Sequence, residues 1–367
     1  MKLLHLSDLH IGKCIGSYSL LEDQKFCLDQ ILEIIKNEKV DIVLIAGDIF
    51  DTTIPNSEAM KIYYDFVEEI IFSLKKKIIA ISGNHDSGKR LEISKSFFEK
   101  NFYYIYGNSF DEKLTFEDKY GRVNFYPIPY ISLARAKNEI NPDIENFTDL
   151  YEFLLKDIDY KDRNVLISHC YANESSFEDE KIEGEKPLTI GGNDAMDAHL
   201  FKKFDYVALG HLHRKHFVLD EKIRYCGTFM KYSFSEINQK KSVTIVDLED
   251  DIKIKEIEIK PLNDFERIND YFENIIKMEN SNSYIEFILK DDHPIESPMA
   301  KLKVKFPHAV AIRYENSLIL EKDEEINFDL EDLSLMEIFE EFYKFKMDED
   351  MGENEKEIFK KVIQWSL

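Results

Sequence analysis

Short, nearly uncharged apolar runs recur along the first 210 residues, and each ends in a polar cluster. Residues 2–6 (KLLHL) lead into Ser7-Asp8-Leu9-His10, and residues 40–46 (VDIVLIA) lead into Gly47-Asp48. Residues 78–82 (IIAIS) precede Gly83-Asn84-His85, residues 164–168 (NVLIS) precede His169, and residues 206–209 (YVAL) precede Gly210-His211-Leu212-His213. Runs of this length suit strands buried on both faces of a sheet. Helical patterns stand between them. Phe26, Ile31, Ile34 and Ile35 keep a 3.6-residue period between Glu22 and Glu38; Tyr63, Phe66, Val67, Ile70 and Ile71 do so after Ser57, the expected cap. Strand alternating with helix predicts an α/β layered domain.

From residue 223 the pattern changes. IRYCGTF (223–229), SVTIVDL (242–248) and IKIKEIEI (252–259) alternate as antiparallel strands do and are expected to complete a second sheet. Pro261-Leu262-Asn263-Asp264 marks the expected boundary between a domain of residues 1–262 and a small α+β domain of 263–330. In the latter, FERINDYFENIIKM reads as a helix, and SYIEFILK, AKLKVKF and AVAIRYE read as strands. Residues 331–367 carry two apolar stripes at helical spacing: Leu335, Ile338, Phe339, Phe342 and Phe345, then Ile358, Phe359, Val362 and Ile363. Packing against the chain's own cap and docking of another protein are both open to such stripes.

Charge narrows the partners. A net charge of -24 favours a solvated surface and argues against broad grip on DNA by this chain alone, because that grip needs many cations on phosphates. Cys14, Cys27, Cys170 and Cys226 form no CxxC pair, so neither a zinc knuckle nor a disulfide framework is expected. The N-terminal apolar run breaks within a few residues, and no stretch approaches the ~18 apolar residues of a membrane span. A soluble, cytoplasmic protein is the expectation.

The strand ends put Asp8, His10, Asp48, Asn84, His169, His211 and His213 at one sheet edge, where ligands bind in layered α/β folds. Carboxylate, imidazole and amide oxygen are donors for manganese, iron or zinc. Asp8-x-His10 and His211-x-His213 are expected to point both members of each pair to one side of extended backbone. Seven donors exceed one ion's needs and suit two ions sharing a carboxylate. Two ions ~3.5–4 Å apart supply a nucleophile near neutral pH and clamp an in-line attack on phosphorus, so phosphoester hydrolysis is the expected reaction class. His5, His199, His216, His293 and His308 lack the strand-end context and read as structural or solvated, and Asp205 and Asp220 read as solvated rather than ligating. The stretch GNHDSGKR (83–90) imitates a P-loop, but Arg90 stands where a magnesium-binding hydroxyl is required.

D-x-H, GD, GNHD, an isolated SH and GHLH, in that order, resemble the calcineurin-like metallophosphoesterases. Within that superfamily LLHLSDLHIGK, IAGDIFDTTIPN, ISGNHDSGKRL, and GHLHRKH followed by YCGTFMKYSFSE resemble the SbcD family, the nuclease subunits of SbcCD complexes. The likeness runs through nearly the whole chain. It implies a four-layer α/β/β/α sandwich with a small α+β cap and a C-terminal helical tail. Asp8, His10, Asp48 and His213 are implied as ligands of a first metal, and Asp48, Asn84, His169 and His211 as ligands of a second, with Asp48 bridging. His85 is implied as the group that steadies the phosphate and protonates the leaving oxygen. Asp51 stands where some relatives carry a histidine, and its carboxylate is expected to orient His85.

The resemblance further implies two divalent ions, manganese by family preference, although the ligand types also admit magnesium, iron or zinc. It implies 3′-to-5′ exonuclease action on duplex DNA, endonuclease action on single strands or hairpins, the ATPase partner SbcC, and a homodimer within a heterotetramer. The helices near 57–73 and 88–99 would form the homodimer face, and the tail would dock SbcC. Lys13, Lys89, Arg90, Arg214 and Lys215 flank the motifs and are the candidate DNA contacts. One rival is a small-molecule phosphodiesterase acting on cyclic nucleotides, an enzyme class that seldom needs a cap and tail of this size. The other is a non-catalytic scaffold, whose expected mark is a lost ligand, and every candidate ligand is present.

Overall fold

The uncharged runs form strands whose two faces are both covered. In the computed structural model, which describes residues 1–110, 112–174, 195–249, 251–315 and scattered positions between 336 and 356, Lys2–Leu6, Ile42–Ala46, Lys77–Ile81 and Tyr103–Tyr106 pair in parallel. A second six-stranded sheet is built around Tyr206–Gly210, Arg163–His169 and Gly121–Ile128, again parallel. Strand alternation divides the apolar residues between layers. Leu3, Leu44, Ile79, Phe125, Val165 and Ala208 pack between the two sheets. Leu4, Val43, Ile45 and Ile78 face outward onto Leu28, Ile31 and Tyr63 of the helices Leu21–Asn37 and Ser57–Glu68. Leu166, Val207 and Leu209 face the opposite way onto Leu150, Tyr151 and Phe201. The result is a helix–sheet–sheet–helix sandwich in which the central strands of each sheet are buried on both faces.

Several local expectations need correction. Asn56, rather than Ser57, caps the second helix, its Oδ1 accepting from Ala59 N at 2.8 Å; its carbonyl oxygen also already serves Met60 N. Ser242–Leu248 and Ile252–Glu258 are antiparallel, but they extend the first sheet beside Lys2–Leu6 instead of completing the second. Asp220–Tyr225 does join the second sheet, in parallel with Tyr206–Gly210. Alternation reports half-buried faces, and it is silent on which sheet supplies the partner.

Beyond Pro261 a three-stranded sheet runs Phe265–Asp270, Tyr284–Leu289, Ala309–Tyr314. Phe265–Asp270 is a strand where a helix was expected, because parallel pairing with Tyr284–Leu289 outweighs the 3.6-residue spacing of Phe265, Ile268 and Phe272. Pro298–Lys303 is a helix where a strand was expected. Pro298 opens it, Leu302 and Phe306 are buried one turn apart, and Val304 is 89% exposed. Asp23 of the first helix accepts from Asn263 N at 2.9 Å and from Tyr284 OH at 2.8 Å, which holds this sheet to the sandwich.

The chain divides into two compact units, Met1–Arg313 and Tyr314–Leu367. In the second, Glu340 pairs with Lys356 at 3.0 Å. Of the two apolar stripes only Phe339 is described, in a helical turn; Leu335, Ile338, Phe342, Phe345, Ile358, Phe359, Val362 and Ile363 lie outside the described residues. Among the described residues no helix is long and apolar enough to cross a membrane.

Candidate metal centre

Two loops leave adjacent strand ends and run side by side. Asp8 N donates to Gly47 O at 3.0 Å, His10 N to Asp48 O at 2.9 Å, and Ile11 N to Ile49 O at 3.0 Å. The extended backbone expected for Asp8-x-His10 and His211-x-His213 is absent at three of these positions. The strand stops at Leu6, and Asp8, His10, Asp48 and His211 have φ of 52°, 42°, 48° and 107°. Such left-handed backbone costs on the order of 1–3 kcal/mol per residue and persists only where its surroundings enforce it. Part of the enforcement comes from Gln24, buried in the first helix. Its Nε2 donates to His10 O at 2.7 Å, and its Oε1 accepts from Gly12 N at 3.0 Å.

The seven candidate donors converge from both sheets. Donor atoms of Asp8, His10 and His213 lie within 4.8 Å of one another, as do those of Asp8, Asp48 and His169, and those of His10, Asp51 and His85. Asp48 Oδ2 is 3.7 Å from His10 Nε2 and 3.4 Å from His169 Nε2. Asn84 Oδ1 is 2.9 Å from His169 Nε2, and the His211 ring lies edge-on to that of His169, centroids 5.4 Å apart. His211 N donates to both Asp8 oxygens, at 3.0 and 3.1 Å.

Hydrogen bonds on the far side of the rings fix which nitrogens face inward. His169 Nδ1 donates to Ala46 O at 2.9 Å, since a carbonyl only accepts, and this leaves Nε2 facing the centre. His213 Nδ1 donates to Glu236 Oε1 at 3.2 Å, so its Nε2 is directed at His10 Nε2, 3.1 Å away. Glu236 is itself buried and held by Lys241 Nζ at 2.6 Å. Burial disfavours the Glu236 charge, but His213 and Lys241 prevail and hold its pKa at about 2. Neither Glu236 nor Gln24 was singled out from the sequence. Glu236 ends the stretch YCGTFMKYSFSE, yet no spacing rule marks it; only the fold puts it behind His213.

Whether these residues fit cations can be judged from their charge balance. Asp8 and Asp48 are 0% and 2% exposed, and among the described residues neither has a Lys or Arg within ion-pair distance. Two carboxylates buried without a permanent positive partner are unfavourable unless cations join them. The Nε2 atoms of His10 and His213 face one another across 3.1 Å, a spacing that suits two ligands of one cation. Burial opposes charge on His169, yet the Asp48 carboxylate raises its pKa to about 9. The donor set fits two divalent ions of the manganese, iron or zinc type.

His85 is exposed and stacks edge-on against His10 with centroids 4.8 Å apart. Its Nδ1 donates to the main-chain oxygen of Asp51 at 2.9 Å. The Asp51 carboxylate, expected to orient His85, instead takes Lys13 Nζ at 2.7 Å and stands 3.5 Å from His10 Nδ1. Burial opposes the Asp51 charge, but His10 and Lys13 hold its pKa at about 2. An ammonium beside it, and only 23% exposure, keep that carboxylate turned inward. Lys13 is thereby committed to Asp51. Lys215 pairs with Glu256 at 2.6 Å, whereas Lys89, Arg90 and Arg214 are exposed.

Both glycines of the P-loop-like stretch serve packing. A Cβ on Gly83 would lie 2.1 Å from Asp48 Oδ1, and one on Gly88 would lie 2.2 Å from Gly107 O. Asp86 turns away from solvent and accepts from Ile49 N, Phe50 N and Gly83 N at 2.9–3.0 Å, which locks the two loops together. No phosphate cradle remains in this turn.

Comparison with known proteins identifies the family. Residues 1–215 match the calcineurin-like phosphoesterase family, and residues 261–346 match a family described as the type 5 capsule protein repressor C-terminal domain. The SbcD subunit of nuclease SbcCD from Staphylococcus epidermidis is 32% identical over 381 residues, spanning 100% of this chain and 99% of that protein. Among solved structures, a dimetal phosphatase from Danio rerio is 12% identical with a TM-score of 0.42, covering 71% of this chain and 98% of its own. An archaeal phosphodiesterase is 16% identical with a TM-score of 0.33, covering 71% of this chain and 100% of its own. The chain belongs to the calcineurin-like phosphoesterases, a family of metal-dependent hydrolases, and within them to the SbcD nuclease family.

Proposed function

We propose that the chain is the nuclease subunit of an SbcCD-type complex that processes DNA double-strand breaks in repair, recombination and replication. It hydrolyses DNA phosphodiesters as a 3′-to-5′ exonuclease on duplex ends and an endonuclease on single strands and hairpins. An SbcC ATPase supplies the ATP dependence, and the active form is a homodimer within a heterotetramer, working in the cytoplasm at the nucleoid. What supports this reading most is the position of the Asp48 carboxylate between the His10 and His169 nitrogens. A likeness to an SbcCD nuclease subunit over the full chain supports it independently.

In this reading Asp8, His10, Asp48 and His213 hold one cation, and Asp48, Asn84, His169 and His211 hold the other, manganese in each case. The ions, when bound, supply an activated water and offset the charge of the phosphate. The chain supplies the rest. Asp48 is steadied by His85 N, which donates to its Oδ1 at 2.8 Å. His85 in its acid form keeps Nδ1–H on Asp51 O and offers Nε2–H to the leaving oxygen. The stack on His10 and the bond to Asp51 set the ring before substrate arrives, which favours transfer without reorganisation. Residues 1–262 form the catalytic domain, 263–330 the cap and 331–367 the segment that docks the ATPase. The exposed Ile93 and Phe97, in the 88–99 region, suit the homodimer face.

Digestion of end-labelled duplex with manganese, with and without the ATPase partner, tests the reading. His85→Ala should keep its metal content and lose about 10²–10⁴-fold in hydrolysis. Wild-type nuclease rates in that variant would remove His85 from the mechanism. Turnover of a small chromogenic phosphodiester with no cutting of DNA, partner included, would favour the small-molecule enzyme instead.

A further inference from the structure

Beside the candidate metal centre lies a cavity of about 430 Å³, with His213 in its wall and lined further by Arg214, Lys215, Asn238, Gln239, Lys240 and Lys241, with small hydroxyl side chains between them. Among the described residues no carboxylate lines it, in a chain that carries 72 Asp and Glu against 48 Lys and Arg. The four cations are not equivalent. Lys241 is spent on Glu236 at 2.6 Å, and on His213 O and Thr228 Oγ1 at 3.0 and 2.7 Å. Lys215 reaches Glu256 at 2.6 Å. Arg214 and Lys240 are exposed, and among the described residues neither makes an ion pair or hydrogen bond. Two unpaired cations sharing one concavity repel each other, and an anion bridging them relieves that repulsion.

The cavity's position decides which anion. His213 belongs both to its wall and to the candidate metal centre, so the two sites are contiguous. A substrate with a single phosphate fills the metal centre and leaves this concavity empty. A nucleic-acid strand brings the next phosphate along with the reacting one. Asn238, Gln239 and Ser235 offer neutral donors to the non-bridging oxygens without reading a base, as backbone contacts do. We propose that this cavity is the seat of a backbone phosphate adjacent to the scissile one, with Arg214 and Lys240 as its cations. The proposal rests on the nuclease reading above and adds Lys240, Asn238 and Gln239 to the DNA surface.

The test uses the full chain with manganese and its ATPase partner, and reads kcat/KM for hairpin and duplex cutting across a potassium chloride series. Lys240→Gln and Arg214→Gln should each raise KM and lower the slope of log(kcat/KM) against log[salt] by about 0.9 on duplex, or about 0.7 on single strands. The double variant should add the two effects, Lys240→Arg should restore the slope, and metal content should match wild type throughout. Both side chains are exposed, so folding is not at stake. A double variant with wild-type KM and slope, while wild type cuts DNA, would sink this subsite and spare the nuclease reading. A wild-type complex that cuts no DNA would sink both.

Discussion

His213 Nε2 points at the candidate metal centre because Glu236 holds the opposite nitrogen, and Glu236 stays charged because His213 and Lys241 both stabilise its carboxylate. Carboxylates behind metal-bound imidazoles typically account for 10–100-fold in metal affinity. Glu236→Gln should therefore weaken manganese binding by about that factor in a chelator competition. It also strands the Lys241 ammonium in a buried place, so the melting temperature should fall as well. Adding Lys241→Met should recover much of the stability and none of the affinity, which separates holding the ligand from holding the fold. Unchanged manganese affinity in Glu236→Gln would show that His213 is positioned by its backbone alone. The chemistry of donors made Asp8, His10, Asp48 and the strand-end histidines legible as candidate ligands, because few residue types ligate metals and here they follow strand ends. Glu236 and Gln24 were not legible. They act through contacts 23 and 14 residues away in sequence, and neither has a type or spacing that distinguishes it from a solvated Glu or Gln.

At the scale of elements, the same contrast recurs. Lys2–Leu6, Ile42–Ala46, Lys77–Ile81, Arg163–His169 and Tyr206–Gly210 could be read because burial on both faces leaves an uninterrupted apolar run, which few other structures tolerate. Phe265–Asp270 and Pro298–Lys303 could not, since Phe265, Ile268 and Phe272 satisfy a helical period and Ala300, Leu302 and Val304 satisfy a strand period. Pairing and burial chose between them. The turn 83–90 carries a motif's glycines for reasons of element packing: the start of the short helix Gly88–Leu91 crosses the end of Tyr103–Tyr106 at Gly107. A methyl at Gly88 must push that crossing apart, at a cost of about 1–3 kcal/mol. Gly88→Ala should lower the melting temperature while manganese content stays at the wild-type level. Full stability in Gly88→Ala would refute the crossing as the reason for glycine.

For the whole molecule, charge sets the terms of function. A chain at -24 repels a polyanion at long range, and at physiological ionic strength screening confines that repulsion to about 8 Å. Within that distance a few cations near the centre can still hold a strand locally, but they cannot recruit one. Recruitment must come from a more basic body, which is the physical reason to expect a partner rather than only a family habit. Non-specific DNA binding by ordinary basic proteins runs at about 10⁻⁴–10⁻⁶ M, carried by released counterions. The isolated chain should fall at or beyond the weak end of that range by fluorescence anisotropy on labelled duplex in physiological salt. With the ATPase partner present, affinity should rise by orders of magnitude while cutting still needs the metal ligands of this chain, so that Asp48→Asn abolishes cleavage and leaves recruitment intact. Micromolar or tighter binding by the isolated chain in physiological salt would show that its local cations outweigh its net charge, and would remove the electrostatic argument for a partner.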